Sequence, residues 1–207
     1  MFPQQPQQQF RTAGADVKLF YSNSTWTKPP GVSNVYMMLI GPGGSGDGLG
    51  TGGGSGAVTV WYGAAQNVPD SLGVSIGVRD SSPTQIYYIL SYALLTANYG
   101  SFGTPGTSSV ATPFANTGFY KSTAGTAYGG GASGTTFLSG GGGTSGSPVD
   151  GNYGYSSTGS SHGIFQLQPI IVAVSDTADA AGGNAPIGCG GGNFTFGGPG
   201  MVLIASW

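Results

Sequence analysis

Residues 41 to 56, GPGGSGDGLGTGGGSG, hold ten glycines in sixteen positions. Each glycine in a helix interior costs about 1 kcal/mol relative to alanine, so no helix persists through such a stretch. Two more glycine clusters, at 125 to 143 and 182 to 200, extend that constraint to three parts of the chain. Glycine and proline together occupy more than a quarter of the 207 positions, a level at which low-complexity or disordered chains are common. Hydrophobic residues at 38% and aromatics at 12% oppose that reading, because a solvated tail carries fewer of both. Seven acidic residues, all Asp, and five Lys or Arg are too few to clothe the exposed faces of a helical bundle or a conventional α/β enzyme.

Between the clusters the pattern is that of strands. Val17 to Tyr21 alternates, and Ser24 to Thr27 forms a second short segment before the turn chemistry of Lys28-Pro29-Pro30-Gly31. Val32 to Ile40 is β-rich and ends fully apolar, as a buried strand does. Val58 to Tyr62, Leu72 to Val78 and Met201 to Trp207 have the same character, and the long run Ile86 to Leu95 favours strand through its Tyr and Ile content. Ile164 to Val174 is strand-like too, with Pro169 pointing to an edge or a bulge. The spacing shows no sustained period of three, which excludes a collagen-type repeat. Glycine runs of this kind can instead form extended, polyproline-II-like segments that lie side by side through their backbones. The expected fold class is all-β, an antiparallel β-sandwich (jelly-roll-like) with long glycine-rich loops. Residues 1–16 are expected to be an extended Pro/Gln-rich N-terminal arm, and residues 17–207 the glycine-rich domain.

Composition excludes several function classes. A formal net charge of −2 leaves no basic surface for a phosphate backbone. The one cysteine, Cys189, permits no intrachain disulfide, and with one histidine a Cys/His zinc site is excluded. No apolar run reaches the roughly 18 residues of a membrane helix. The first ten residues, MFPQQPQQQF, lack the basic and apolar regions of a signal peptide.

The motifs with chemical meaning are weak in context. Gly41, Gly43 and Gly46 match G-x-G-x-x-G after a hydrophobic strand, but the helix that should follow is replaced by more glycine. His162 beside Ser160 and Ser161 lacks a nucleophile elbow, and Cys189 in GCGG lacks a basic neighbour to activate it. Asp47, Asp176 and Asp179 lack the remaining oxygens of a calcium site and read as solvated turn residues. No cofactor, metal or catalytic set is expected. Tyr99, Tyr120, Tyr128, Tyr153 and Tyr155 stand among Gly, Ser, Thr and Asn, a composition that offers amphipathic contact area with adaptable hydrogen bonds. They are candidates for receptor contact; the alternative is that they cover glycine backbones within the protein.

Four segments in succession resemble a known family. These are TWTKPPGVSNVYMMLIGPGG (25 to 44), GGGSGAVTVWY (52 to 62), LGVSIGV (72 to 78) and GGNFTFGGPGMVLIASW (191 to 207). Together they resemble the glycine-rich domain of bacteriophage tail fibres and other virion appendages. The run Ile86 to Leu95 departs from that pattern. The resemblance implies a non-enzymatic virion structural protein (a spike, tail-fibre or minor capsid component) with loops presented to a host-surface glycan or protein. Phe2, Pro3, Pro6 and Phe10 of the arm are the candidate anchors onto other virion proteins. A homo-oligomer is expected, a trimer for a fibre or a pentamer for a vertex, with no nucleic acid partner and no membrane insertion. The competing expectation is a capsid shell or decoration (cement) protein without receptor binding.

Overall fold

The structure, a computed structural model, describes residues 15–46, 52–88, 92–125, 161–167, 170–175, 187–188, 190–191 and 196–207. Among them are twelve strands: β1 (Asp16–Phe20), β2 (Ser24–Thr27), β3 (Asn34–Ile40), β4 (Val58–Ala64), β5 (Ser71–Ser75), β6 (Thr84–Tyr88), β7 (Tyr92–Ala97), β8 (Ser108–Val110), β9 (Gly118–Thr123), β10 (Ser161–Leu167), β11 (Ile170–Ser175) and β12 (Met201–Ser206). A 3-10 turn at Ala65–Asn67 and a single helical turn, α1 (Thr112–Ala115), complete the set. All pairings among these strands are antiparallel. One five-stranded sheet has the order β1-β12-β3-β4-β9, a second has β2-β5-β6-β7-β8, and β10 pairs with β11. The protein is all-β with two antiparallel sheets. The run β5-β6-β7-β8 is a meander, not the Greek-key order on which a jelly-roll expectation rests.

Burial follows from strand position. β3 lies at the centre of the first sheet, and both of its faces are covered, which explains the unbroken run VYMMLI. Val35, Met37 and Leu39 point to one side. There they join Trp61, Val202 and Ile204 of the same sheet and Trp26, Leu72, Val74, Ile86 and Leu95 of the second sheet in a shared core. Tyr36, Met38 and Ile40 point to the other side and meet Val58, Val60, Leu203 and Ala205 in a second apolar cluster. A strand alternates its side chains between faces, so covering both faces demands apolar residues at every position.

Two expected strands divide. The run Ile86 to Leu95 is the β6–β7 hairpin, with Tyr88 opposite Tyr92 and a register shift between Ile86 and Tyr87. No glycine or proline marks its reversal. The run Ile164 to Val174 is likewise two strands, β10 and β11, with an irregularity between His162 and Phe165; Pro169, for which an edge or a bulge is expected, lies outside the described residues. At the Lys28–Gly31 turn, Gly31 adopts φ +79°, as the turn chemistry requires.

Tyr36 yields a pH test. Its hydroxyl is buried without a hydrogen-bond partner among the described residues, and burial pushes its pKa well above the ordinary tyrosine value of 10.0. The fold retains the neutral phenol, so this contribution to stability is complete below pH ~10 and falls as the pH climbs from there toward the folded-state value. Tyr36→Phe is expected to leave urea stability at pH 7 unchanged or slightly higher, because the lost group makes no hydrogen bond. The variant should also lose less stability than wild type between about pH 9.5 and 11. Equal alkaline losses in the two proteins would assign the effect to other groups.

Candidate functional site

The glycine-rich segments leave the sheets at one end. β3 finishes at Ile40, which pairs with the first residues of β4 and β12, Val58 and Met201; Val58 in turn pairs with Thr123, the last residue of β9. In the second sheet Ala97, the last residue of β7, pairs with the first residues of β6 and β8. The chain beyond each of these residues therefore runs off the same end, and the segments meet there. Ala57 N donates to Asn98 O at 3.0 Å, and Gly41 N donates to Ala57 O at 2.8 Å.

Segment 52–57 lies among three neighbours and alternates between them with a period of three. The amides of Gly53 and Gly56 donate to Gly191 O and Gly188 O, both at 2.8 Å. Those of Gly54 and Ala57 donate to Ser101 O and Asn98 O. The carbonyls of Gly54 and Ala57 accept from Gly44 and Gly41, and those of Gly52 and Ser55 accept from Gly103 and Gly106. Residues i and i+3 share a side in a helix of three residues per turn, which is the period of polyproline II. The period is thus present in the hydrogen bonds of short runs although the sequence sustains none over its length. The backbones approach too closely for side chains. A Cβ on Gly44 would lie 2.6 Å from Gly100 O, and one on Gly54, Gly56 or Gly100 would overlap a neighbouring carbonyl.

This arrangement disposes of the nucleotide-binding reading on positive grounds. The amides of Gly41 and Gly43, which a pyrophosphate would need, donate instead to Ala57 O and Gly198 O.

Among the described residues, the end of the bundle away from the sheets carries exposed aromatic rings. Phe102 stands at the tip of a reversal closed by Ser101 and Thr104, with Gly103 at φ +63°, and its side chain is exposed. Phe196 is also exposed, with the Arg79 guanidinium 3.9 Å above its ring. Next to Arg79, Asp80 takes the left-handed conformation at φ 54° and accepts from Ser45 N at 3.0 Å and from Ser45 Oγ. The loop between β5 and β6 is thereby clasped onto the bundle by one cation–π contact and one charge-assisted pair of hydrogen bonds.

The tyrosine candidates are not brought together. Tyr99 is half-buried where the chain leaves β7, and Tyr120 is exposed on β9, opposite Trp61. Tyr128, Tyr153 and Tyr155 lie outside the described residues, as do the arm candidates Phe2, Pro3, Pro6 and Phe10, together with Asp47, Asp176, Asp179 and Cys189. Composition does not single out Phe102 and Phe196, although each is flanked by glycine, in GSFGTPG and NFTFGGPG. Among the described residues, no three His, Cys, Asp or Glu side chains gather as a metal site would require.

No protein-family model, no curated protein and no solved structure matches the chain.

Proposed function

We propose that this chain is a non-enzymatic virion structural protein, a spike, tail-fibre or minor capsid component, anchored by its N-terminal arm and presenting the end of its glycine bundle away from the sheets to a host surface. The architecture fits an antiparallel sandwich, because side chains from both sheets share one core. The observation that carries the proposal is polarity. β1 begins at Asp16 opposite Ser206, the residue that also pairs with Val35, at the end of the sheet away from Ile40 and Met201. The arm therefore joins the domain at the end opposite the bundle, which suits anchorage at one end and presentation at the other. Hydrogen-bonded glycine backbones give the bundle rigidity without a core of its own, and its exposed rings, Phe102 and Phe196, offer stacking area to a glycan or protein. The tyrosines remain part of this proposal as secondary contacts.

The test is location in intact particles, by cryo-electron microscopy with mass-spectrometric copy number. Copies confined to vertices or a tail, with the bundle pointing outward, support attachment. Uniform coverage of a shell favours the second reading, a cement protein without receptor binding, for which the low charge of the chain is equally suitable. Deleting residues 1–10 is expected to leave the domain folded and to abolish incorporation. Normal copy number of the truncated protein would remove the anchor from the proposal.

A further inference from the structure

We propose that the free edge of β9 pairs with the β9 edge of a second copy of this chain. The two large sheets present four edges, β1 and β9 on the first, β2 and β8 on the second. Three of them carry features that discourage pairing. β2 and β8 are four and three residues long. β1 bears Asp16 and Lys18, whose charges lie 3.8 Å apart. β9 differs. It is six residues long, holds Lys121 as its single charge and, among the described residues, pairs on one side only, with β4. Phe119 and Tyr120 project from it with 69% and 46% of their surface exposed.

The strand is also held in place at both ends. At its start, Gly118 sits where a Cβ would lie 2.6 Å from the Trp61 ring. After it, Gly125 N donates to Gly106 O at 2.9 Å within the bundle. An edge held extended in advance loses little freedom when a second strand adds to it.

A second copy suits this edge because the strand complements itself. Antiparallel pairing centred on Tyr120 sets Tyr120 opposite its own copy, and Phe119 opposite the position of Lys121 in the second copy, each on a shared face. In this register the two lysine positions are not directly opposed, so like charges do not meet across the junction. The operator is a two-fold axis, which closes the assembly as a dimer. This replaces the trimer or pentamer expected from fibre or vertex geometry, and it stands independently of the virion reading. Two six-residue strands bury less than the roughly 1,200 Å² of a tight complex, so the dimer is a concentration-dependent one.

Sedimentation over a wide concentration range is expected to show a monomer–dimer equilibrium. Amide exchange in residues 119–123 should slow as the dimer fills. Phe119→Lys with Tyr120→Lys places like charges across the junction and is expected to raise the dissociation constant at least about tenfold. The melting temperature of the dilute protein should stay unchanged, since both side chains face solvent. A wild-type protein that stays monomeric, an odd-numbered assembly, or exchange in 119–123 indifferent to concentration overturns the proposal. The exchange measurement needs no variant, so it decides the matter even if the double substitution misfolds.

Discussion

Gly54→Ala is expected to dismantle the glycine bundle, whereas Gly31→Ala should cost only about 1–2 kcal/mol, the penalty of a left-handed backbone with a Cβ. The two sites separate the two reasons a chain uses glycine. Gly31 has φ +79°, and a methyl group on its Cα would meet nothing within 4 Å, so only conformation is at stake. Gly54 has no positive φ, but a methyl there would overlap the carbonyl oxygen of Thr104 and crowd Pro105 N at 2.9 Å. The obstructing atoms are backbone and cannot change rotamer. Shifting them breaks Gly54 N to Ser101 O, at 2.9 Å, and strains Gly44 N to Gly54 O on the other side. Overpacking of about 1–3 kcal/mol together with one broken and one strained hydrogen bond gives an expected cost of about 2–5 kcal/mol. Urea unfolding would give the difference, and amide exchange would locate it, with protection lost across 41–46, 52–57 and 98–106. Equal costs at the two positions would mean that the bundle yields to side chains, and its rigidity could not then support presentation of a binding surface.

That contrast marks what is legible in the sequence. Strands carried by apolar runs are readable: Val32–Ile40, Val58–Tyr62 and Met201–Trp207 overlap β3, β4 and β12 closely. Their signal is burial, which the residues themselves declare. β9 is hidden because FYKST lies in a Gly/Ser/Thr region and draws its order from pairing with β4, not from its own apolarity. The β6–β7 reversal is hidden because the residues between Tyr88 and Tyr92 include neither glycine nor proline. The bundle can be suspected from composition alone. Its period of three cannot be read from glycine spacing, because Ser55 and Ala57 serve the same pattern through their backbone groups. Backbone donors do not depend on side-chain identity, so a sequence hides them. For the same reason composition draws attention to the tyrosines: the end of the bundle is defined by where backbones converge, and Phe102 and Phe196 matter only because they stand there.

The second large effect is expected at Trp61, and it connects the core to the proposed β9 junction. Trp61 is fully buried, stacks on Phe114 with ring centroids 4.4 Å apart, and donates Nε1–H to Phe114 O at 3.1 Å. Glycines at 63 and 118 make room for it, since a Cβ on either would come within 2.6 Å of the ring. Trp61→Ala therefore opens a cavity lined partly by residues with no side chain to collapse into it, and about 3–5 kcal/mol is expected. The loss should not be uniform. Phe114 anchors α1, and β9 begins beside the ring, so exchange should quicken in residues 112–123 before it does in β3 or β12. Trp26 provides the control. It is equally buried, but its Nε1 has no hydrogen-bond partner among the described residues, so Trp26→Phe removes ring area and relieves an orphaned donor. Trp61→Phe removes ring area and takes from Phe114 O the indole donor it accepts from. The second substitution is expected to cost about 1 kcal/mol more than the first. If Trp26→Phe proved the more damaging, Trp26 would have to make a contact through its indole N–H in solution, and the end of the core nearest the arm would be wetter than its packing implies.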